Sequence, residues 1–229
     1  MWDMNSVGLV GLLSLATLLP FLIAGGTCFI KFSIVFSLIR NAIGLQQAPS
    51  NMTLNSIALL LAAFIMSPVA MQGYDYYQQE GVDFRNTESV QNFIDNGLSG
   101  YKNYLYRFSD KELLTFFNNI YQQQYPITED HKPKGENPNA KNSSLFTLLA
   151  SYSLSEIKSA FILGFYIYLP FIVVDLLVSN ILLALGMMMM SPVTISLPIK
   201  LVLFVAIDGW SKVATGIVMQ YAELWKSAG

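Results

Sequence analysis

The sequence has little charge. Of 229 residues only 12% are Asp, Glu, Lys or Arg, about half the roughly 25% of an ordinary soluble domain. Between Asp3 and Lys31 there is no charged residue at all. The formal net charge is −2 and no basic stripe occurs, which excludes a nucleic-acid partner, because nothing is available to neutralise phosphates. A single cysteine, Cys28, rules out an internal disulfide; in its apolar stretch it reads as a small packing residue. The single histidine, His131, lies in a polar loop and reads as solvated. There is no P-loop, no G-x-G-x-x-G and no metal-ligand cluster. No cofactor is therefore expected, and ATP-driven work would need a separate engine. The opening MWDMNSVGLV has no basic n-region, and no convincing A-x-A site follows the first apolar run. No cleaved signal peptide is expected.

What the chain has is apolar length. It is 53% hydrophobic, with a mean hydropathy of +0.46. Residues 4–30 are long enough to span, since about 20 apolar residues cross a bilayer core. Lys31, Arg40 and a polar turn, GLQQAPSN, follow. Residues 54–71 form a second apolar helix, interrupted late by Pro68. Residues 73–144 differ in character, holding ten of the fifteen acidic and seven of the thirteen basic residues. Two helical stripes appear there: Val90, Phe93, Ile94, Leu98 and Tyr101, then Leu113, Phe117, Ile120 and Tyr121. Ser109 and Glu112 make a capping box for the second. Residues 126–142 are a polar loop. Ser153 and Glu156 make another capping box, before an apolar helix over 159–186; residues 199–221 are the fourth.

The expected fold is all-α and membrane-associated. It has a first helical hairpin (residues 1–72), a soluble helical insert (73–150) and a second hairpin carrying a methionine-rich loop (151–229). Lys31, Arg40 and Lys200 lie near the two hairpin turns. The positive-inside rule then puts both turns in the cytoplasm and the insert outside.

Six charges adjoin or interrupt the apolar runs: Lys31, Glu156, Lys158, Asp175, Lys200 and Asp208. At a bilayer centre each costs at least about 2.5–3.5 kcal/mol. One reading pairs them across elements or subunits, giving an assembly held by ionic contacts. The other accommodates each locally: Glu156 as a cap, Lys31 and Lys200 snorkelling, Asp208 pairing with Lys212 at i+4. Asp175 and Asp208 on apolar helices suggest an intramembrane protease, but IVVDLLV and VAIDGWS lack the tyrosine and glycine patterns of that class. SEIK fits S-x-x-K without its companion motifs.

The stretch LGMMMMSPVTISLP is the least ordinary. Met187, Met188, Met189 and Met190 cover every face of a helix, so one packing stripe does not account for them, and Pro192 and Pro198 follow. Two readings fit the residues: helix–helix gap filling, or a soft seal at a break.

The run SEIKSAFILGFYIYLPFIVVDLLVSNILLALGMMMMSPVTISLPIKLVLFVAIDGW resembles the C-terminal signature of the FliP/YscR/SpaP family of type III secretion export apparatus proteins. LLPFLIAGGTCFIKFSIVFSLIRNAIGLQQAPSNMTLNSIALLL matches the family's other half. MMMMSP in place of MMMVP, and the lack of a signal peptide, favour the virulence (injectisome) branch. The resemblance implies a non-enzymatic, pore-forming pentamer in the bacterial inner membrane, much of it on the periplasmic side. Its implied partners are Q-type and R-type subunits, the switch (S-type) and large export-gate subunits, unfolded secreted proteins and membrane lipid. It implies a pore gasket at Met187, Met188, Met189 and Met190, with Pro192 and Pro198 ending the helices. It implies ionic contacts between subunits at Arg40, Glu156 and Lys200, and more weakly at Lys31, Lys158, Asp175 and Asp208. The aromatic residues Tyr101, Tyr104, Tyr106, Phe108, Phe116 and Phe117 either line an outer vestibule or pack within the insert.

Overall fold

The computed structural model describes residues 17, 20–81, 89, 92–124, 143–187 and 189–222. Most of the 4–19 stretch, Val90, the 126–142 loop with His131, and Met188 lie outside them. Among the described residues every regular element is helical. In chain order these are α1 (Pro20–Gly26), α2 (Phe29–Ile43), α3 (Asn51–Glu80), a π-helical turn (Phe93–Gly97), α4 (Ser99–Phe108), α5 (Lys111–Gln124), α6 (Leu145–Ala184), α7 (Pro192–Ala206) and α8 (Gly209–Gln220). By length and composition α3 and α6 suffice to cross a membrane; the pairs α1 with α2 and α7 with α8 do so if each bent pair is one span.

Several boundaries differ from those expected, each for a local reason. The first apolar segment does not end at Lys31. It breaks at Thr27 and Cys28, and α2 then runs through Lys31 and Arg40. The break is stabilised by side chains that take the last carbonyls of α1: Thr27 Oγ1 donates to Ile23 O (2.6 Å), Ser153 Oγ to Gly25 O (2.7 Å) and the Tyr101 hydroxyl to Gly26 O (2.8 Å). Pro68 does not interrupt α3. It removes the N–H that Phe64 O would accept, and Ser67 Oγ donates to that carbonyl instead, at 2.8 Å. The Ser153 capping box is absent, because α6 starts at Leu145 and Ser153 lies inside it. Nor does Ser109 cap α5. Its hydroxyl turns back to Leu105 O (2.7 Å), and Asp110 Oδ1 accepts the Glu112 N–H (2.9 Å) in the manner of an aspartate N-cap. On α5 the buried residue is Leu114, while Ile120 of the expected stripe is exposed.

The residues cluster into two compact units, Met1–Ile30 with Ala63–Glu156 and Glu223–Gly229, and Lys31–Ala62 with Ile157–Ala222. In the first, Tyr104, Leu105, Leu148 and Tyr152 are fully buried. Tyr104 packs against Phe108 (ring centroids 5.3 Å) and Tyr152 (5.1 Å), and the two tyrosine hydroxyls are hydrogen-bonded. Packing within the unit is thus the role of Tyr104, while Phe116 is exposed. Thr147, Ser151 and Ser155, four residues apart on α6, are buried beside this core. The two serines satisfy themselves by donating up their own helix: Ser151 Oγ to Thr147 O (2.8 Å) and Ser155 Oγ to Ser151 O (2.6 Å). Small hydroxyl residues at this spacing let helices approach closely without leaving a polar atom unpaired.

In the second unit α2 buries Phe32, Val35, Phe36, Ile39 and Ile43, one helical stripe, and α3 buries Leu54, Ala58 and Ala62 at i, i+4, i+8. Trp210 stands edge-on to Phe36 (5.9 Å) and Phe204 (5.4 Å). Contrary to the single helix expected over 199–221, α7 and α8 meet at 54°. Asp208, in the left-handed region at φ 52, makes the bend. Gly209 follows under the Phe204 ring, whose Cε2 would lie 2.1 Å from an added Cβ. The outer face of α6 stays uncovered: Phe161, Phe165, Leu176, Leu177 and Ile181 are each more than half exposed.

Candidate functional site

The methionine break is built from the residues on either side of it. Gly186, at φ +72, closes α6. Its N–H goes to Leu183 O (3.0 Å) and the Met187 N–H reaches back to Leu182 O (2.9 Å). This pair of bonds is a Schellman motif, which needs a residue free to adopt positive φ. Ser191 is then the N-cap and Pro192 the first residue of α7, where a missing N–H costs nothing. The same grammar recurs after α2: Gly44 at φ +94, Leu45 N–H to Arg40 O (3.1 Å), and Ser50 Oγ accepting the Thr53 N–H (3.2 Å). Both turns are therefore fixed by backbone hydrogen bonds.

On this turn the described methionines point outward. Met189 is 98% exposed, Met187 40% and Met190 43%; Met188 lies outside the described residues. Helix–helix gap filling is thus not their role within this chain. Pro192 stands where expected, at the start of a helix. Pro198 does not end one; it sits inside α7, and its ring excludes the N–H that Thr194 O would otherwise accept.

The charges are not arranged as snorkelling side chains. Lys31 is 4% exposed; its Nζ donates to Gln220 Oε1 (3.3 Å) and lies 4.9 Å from the Tyr221 ring centroid, a cation–π distance. Lys200 is buried too. It donates to Asp175 Oδ2 at 2.6 Å and to Ala42 O, near the end of α2, at 3.3 Å. A cation at a helix C-terminus is favoured by the exposed carbonyls there. Asp175 and Lys200 are thus brought together within one chain, and Asp175 forms no carboxylate dyad. Arg40 Nη1 donates to Pro49 O (3.1 Å), while among the described residues its buried Nε has no acceptor, nor Asp175 Oδ1 a donor. Glu156 is buried in the middle of α6 rather than at a cap; Lys158, two residues on, is exposed. Asp208 heads α8, where its carbonyl accepts the Lys212 N–H (3.1 Å).

Two tyrosines of α4 are perturbed. Burial pushes the Tyr101 hydroxyl up from 10.0 to about 12. Burial pushes Tyr104 well above its ordinary value, helped by the nearby acidic groups of Cys28 and Glu156 and opposed by its bond to Tyr152. The sequence reading missed the Tyr104–Tyr152 pair and the Thr147–Ser151–Ser155 stripe. The stripe had a signal, its i+4 spacing. The tyrosine pair, 48 residues apart, had none.

Comparison with known proteins places the chain in a family. The model of the FliP family matches residues 12–217. Surface presentation of antigens protein SpaP of Salmonella typhi is 55% identical over 220 residues, covering 96% of this chain and 98% of that protein. Yop proteins translocation protein R of Yersinia pestis is 45% identical over 217 residues, 95% of this chain and 97% of its own. Harpin secretion protein HrcR of Erwinia amylovora is 38% identical over 205 residues, 90% and 91%. With a family match over nearly all of its length, and with both helix–turn–helix halves and the methionine turn inside the matched span, the chain belongs to the FliP family.

Proposed function

We propose that this chain is a pore-forming core subunit of the export gate of a type III secretion system, conducting unfolded proteins across the bacterial inner membrane. Relatives named for surface presentation of antigens, Yop translocation and harpin secretion mark it as a component of that export apparatus, which is not an enzyme family. The reading is carried by one observation: the described methionines stand exposed on a turn whose backbone is hydrogen-bonded at Gly186, Met187 and Met190. Methionine has three rotatable bonds and a polarizable thioether, so a ring of such tips closes to water and yields to many sequences. Hydrophobic constrictions of this kind gate by dewetting. Met187, Met188, Met189 and Met190 are the proposed gasket, shaped by Gly186 and Pro192, with Pro198 stiffening the first turns of α7.

The proposed assembly is a pentamer with Q-type and R-type subunits, engaging the switch and large gate subunits, with much of its mass on the periplasmic side. Among the described residues the buried Arg40 Nε and Asp175 Oδ1 have no hydrogen-bond partner, and the proposed contacts at Arg40 and Asp175 use their other polar atoms. Glu156, Lys200, Lys31, Lys158 and Asp208 are the further proposed contacts. The test replaces the four methionines by alanine, verifies assembly, and measures ion leak alongside secretion. Leak through an intact complex is expected. An ion-tight complex with normal secretion would place the seal elsewhere and leave this chain a scaffold.

A further inference from the structure

The described methionines of the break differ in access. Met189 is 98% exposed, against 40% for Met187 and 43% for Met190. The Met190 N–H goes to Met187 O at 3.3 Å, which closes a tight turn with Met189 between its ends. Non-helical backbone does not face lipid, because its polar groups would go unpaired there. The turn between α6 and α7 therefore meets water or protein. A thioether held at the tip of such a turn is open to chemistry that a methionine packed in a core escapes. A two-electron oxidant converts it to a sulfoxide, which is polar and chiral, and which cells reduce back to the thioether. Met52 and Met219 are exposed as well, but they stand on α3 and α8, away from the turn in sequence.

We propose that Met189 is an oxidation site, and that its modification by a hydroperoxide unseals the pore reversibly; the inference rests on the gasket reading above. A lone pair on Met189 Sδ attacks one peroxide oxygen. An S–O bond forms and the O–O bond breaks. The departing hydroxide takes the proton left on the transferred oxygen and leaves as water. Sulfur gives up two electrons and the peroxide is reduced. The new S–O oxygen accepts hydrogen bonds from water, where the thioether was apolar. A constriction that closes by dewetting then fills. Met187 and Met190 are partly covered and react more slowly, so the turn is modified first at its tip.

The test begins on the full chain in mild detergent. Hydrogen peroxide is added for increasing times, and sulfoxide is mapped by peptide mass spectrometry. Met189 should oxidise about two-fold faster than Met187 or Met190, in proportion to access. Equal rates, or a protected Met189, overturn the site whatever the pore does. The second arm uses the assembled complex in membrane vesicles and reads the ion leak that peroxide adds to each complex's own untreated level. The parent should gain leak, and methionine sulfoxide reductases should remove it. Met189→Leu, which has no thioether, should lose about half of the gain or more, and Met52→Leu should keep it. Should Met189→Leu not assemble, Met189→Ile carries the same reading. No added leak in the parent, a gain that survives in Met189→Leu, or a gain that the reductases leave in place overturns the proposal. The four-alanine variant separates the two readings. Leak there with none in the peroxide-treated parent removes the oxidation site alone; leak in neither removes the gasket with it.

Discussion

Replacing Lys200 or Asp175 singly should damage the chain far more than replacing both. The pair is close, 2.6 Å, but unequally buried: the Lys200 side chain is 6% exposed and that of Asp175 39%. Breaking a buried ion pair from one side costs about 3–5 kcal/mol, because the surviving charge is stranded. Asp175→Leu strands the deeply buried ammonium with only Ala42 O as acceptor, so the full ~3–5 kcal/mol is expected. Lys200→Met strands a carboxylate that water reaches, so the loss should be smaller, about 2–3 kcal/mol. The double variant loses the pair together and leaves only Ala42 O without its donor, a cost of about 1 kcal/mol.

The cycle should therefore give a coupling of at least about 4 kcal/mol. The assay is reversible unfolding of the full chain in mild detergent, followed by circular dichroism at two protein concentrations. An intrachain pair gives a coupling independent of concentration. Additive single losses would refute the bond as drawn. A coupling that appears only at high concentration would move the pair between copies.

Gly209→Ala should cost about 1–3 kcal/mol by forcing the new methyl into the Phe204 ring, and Phe204→Leu in the same chain should recover part of it in a melting experiment. Asp208 holds a left-handed conformation, φ 52 and ψ 51; Asp208→Gly should melt at or above the parent temperature, whereas Asp208→Val should lose about 1–2 kcal/mol. Tyr101 predicts an alkaline effect. With its folded pKa at about 12 against 10.0, the unfolded chain loses the proton first, so stability falls as pH rises through that window and levels off above it. The Tyr101 share of the drop should be roughly 2–3 kcal/mol, and the unfolding curves of Tyr101→Phe should fall by that much less, with the fall due to buried Tyr104 remaining.

Much of this molecule is legible in one dimension. The apolar runs, the polar segment between them and the methionine break are all periodicity or composition, and the structure has them. The boundaries were less legible, because side chains distant in sequence set them. Pro68 reads as a stop until Ser67 is seen donating to the carbonyl that the proline leaves free. Ser153 reads as a cap until its hydroxyl is seen on Gly25 O, 128 residues away. The bend at Asp208 did carry a signal, since Asp-Gly is a turn dipeptide, but the apolar run on both sides of it reads as one continuous helix. What the sequence concealed throughout was partner choice: Lys31 near the start of α2 finds Gln220 at the end of α8.

Partner choice also explains why charged side chains are buried among apolar ones while large apolar side chains face outward. Lys31, Lys200 and Glu156 are buried, while Phe161, Phe165, Leu176 and Leu177 face outward. In water this arrangement would forfeit the hydrophobic driving force of folding. In hydrocarbon it is favoured, because an ion must find a partner within the protein and a phenylalanine loses nothing by facing lipid. A neighbouring subunit would cover the same outer face equally well. The buried ions do not choose between lipid and protein; they require only that water be kept from the outer face. Lipid and a neighbouring protein surface are then two ways of meeting one requirement, and neither would demand that the buried ion pairs be rebuilt.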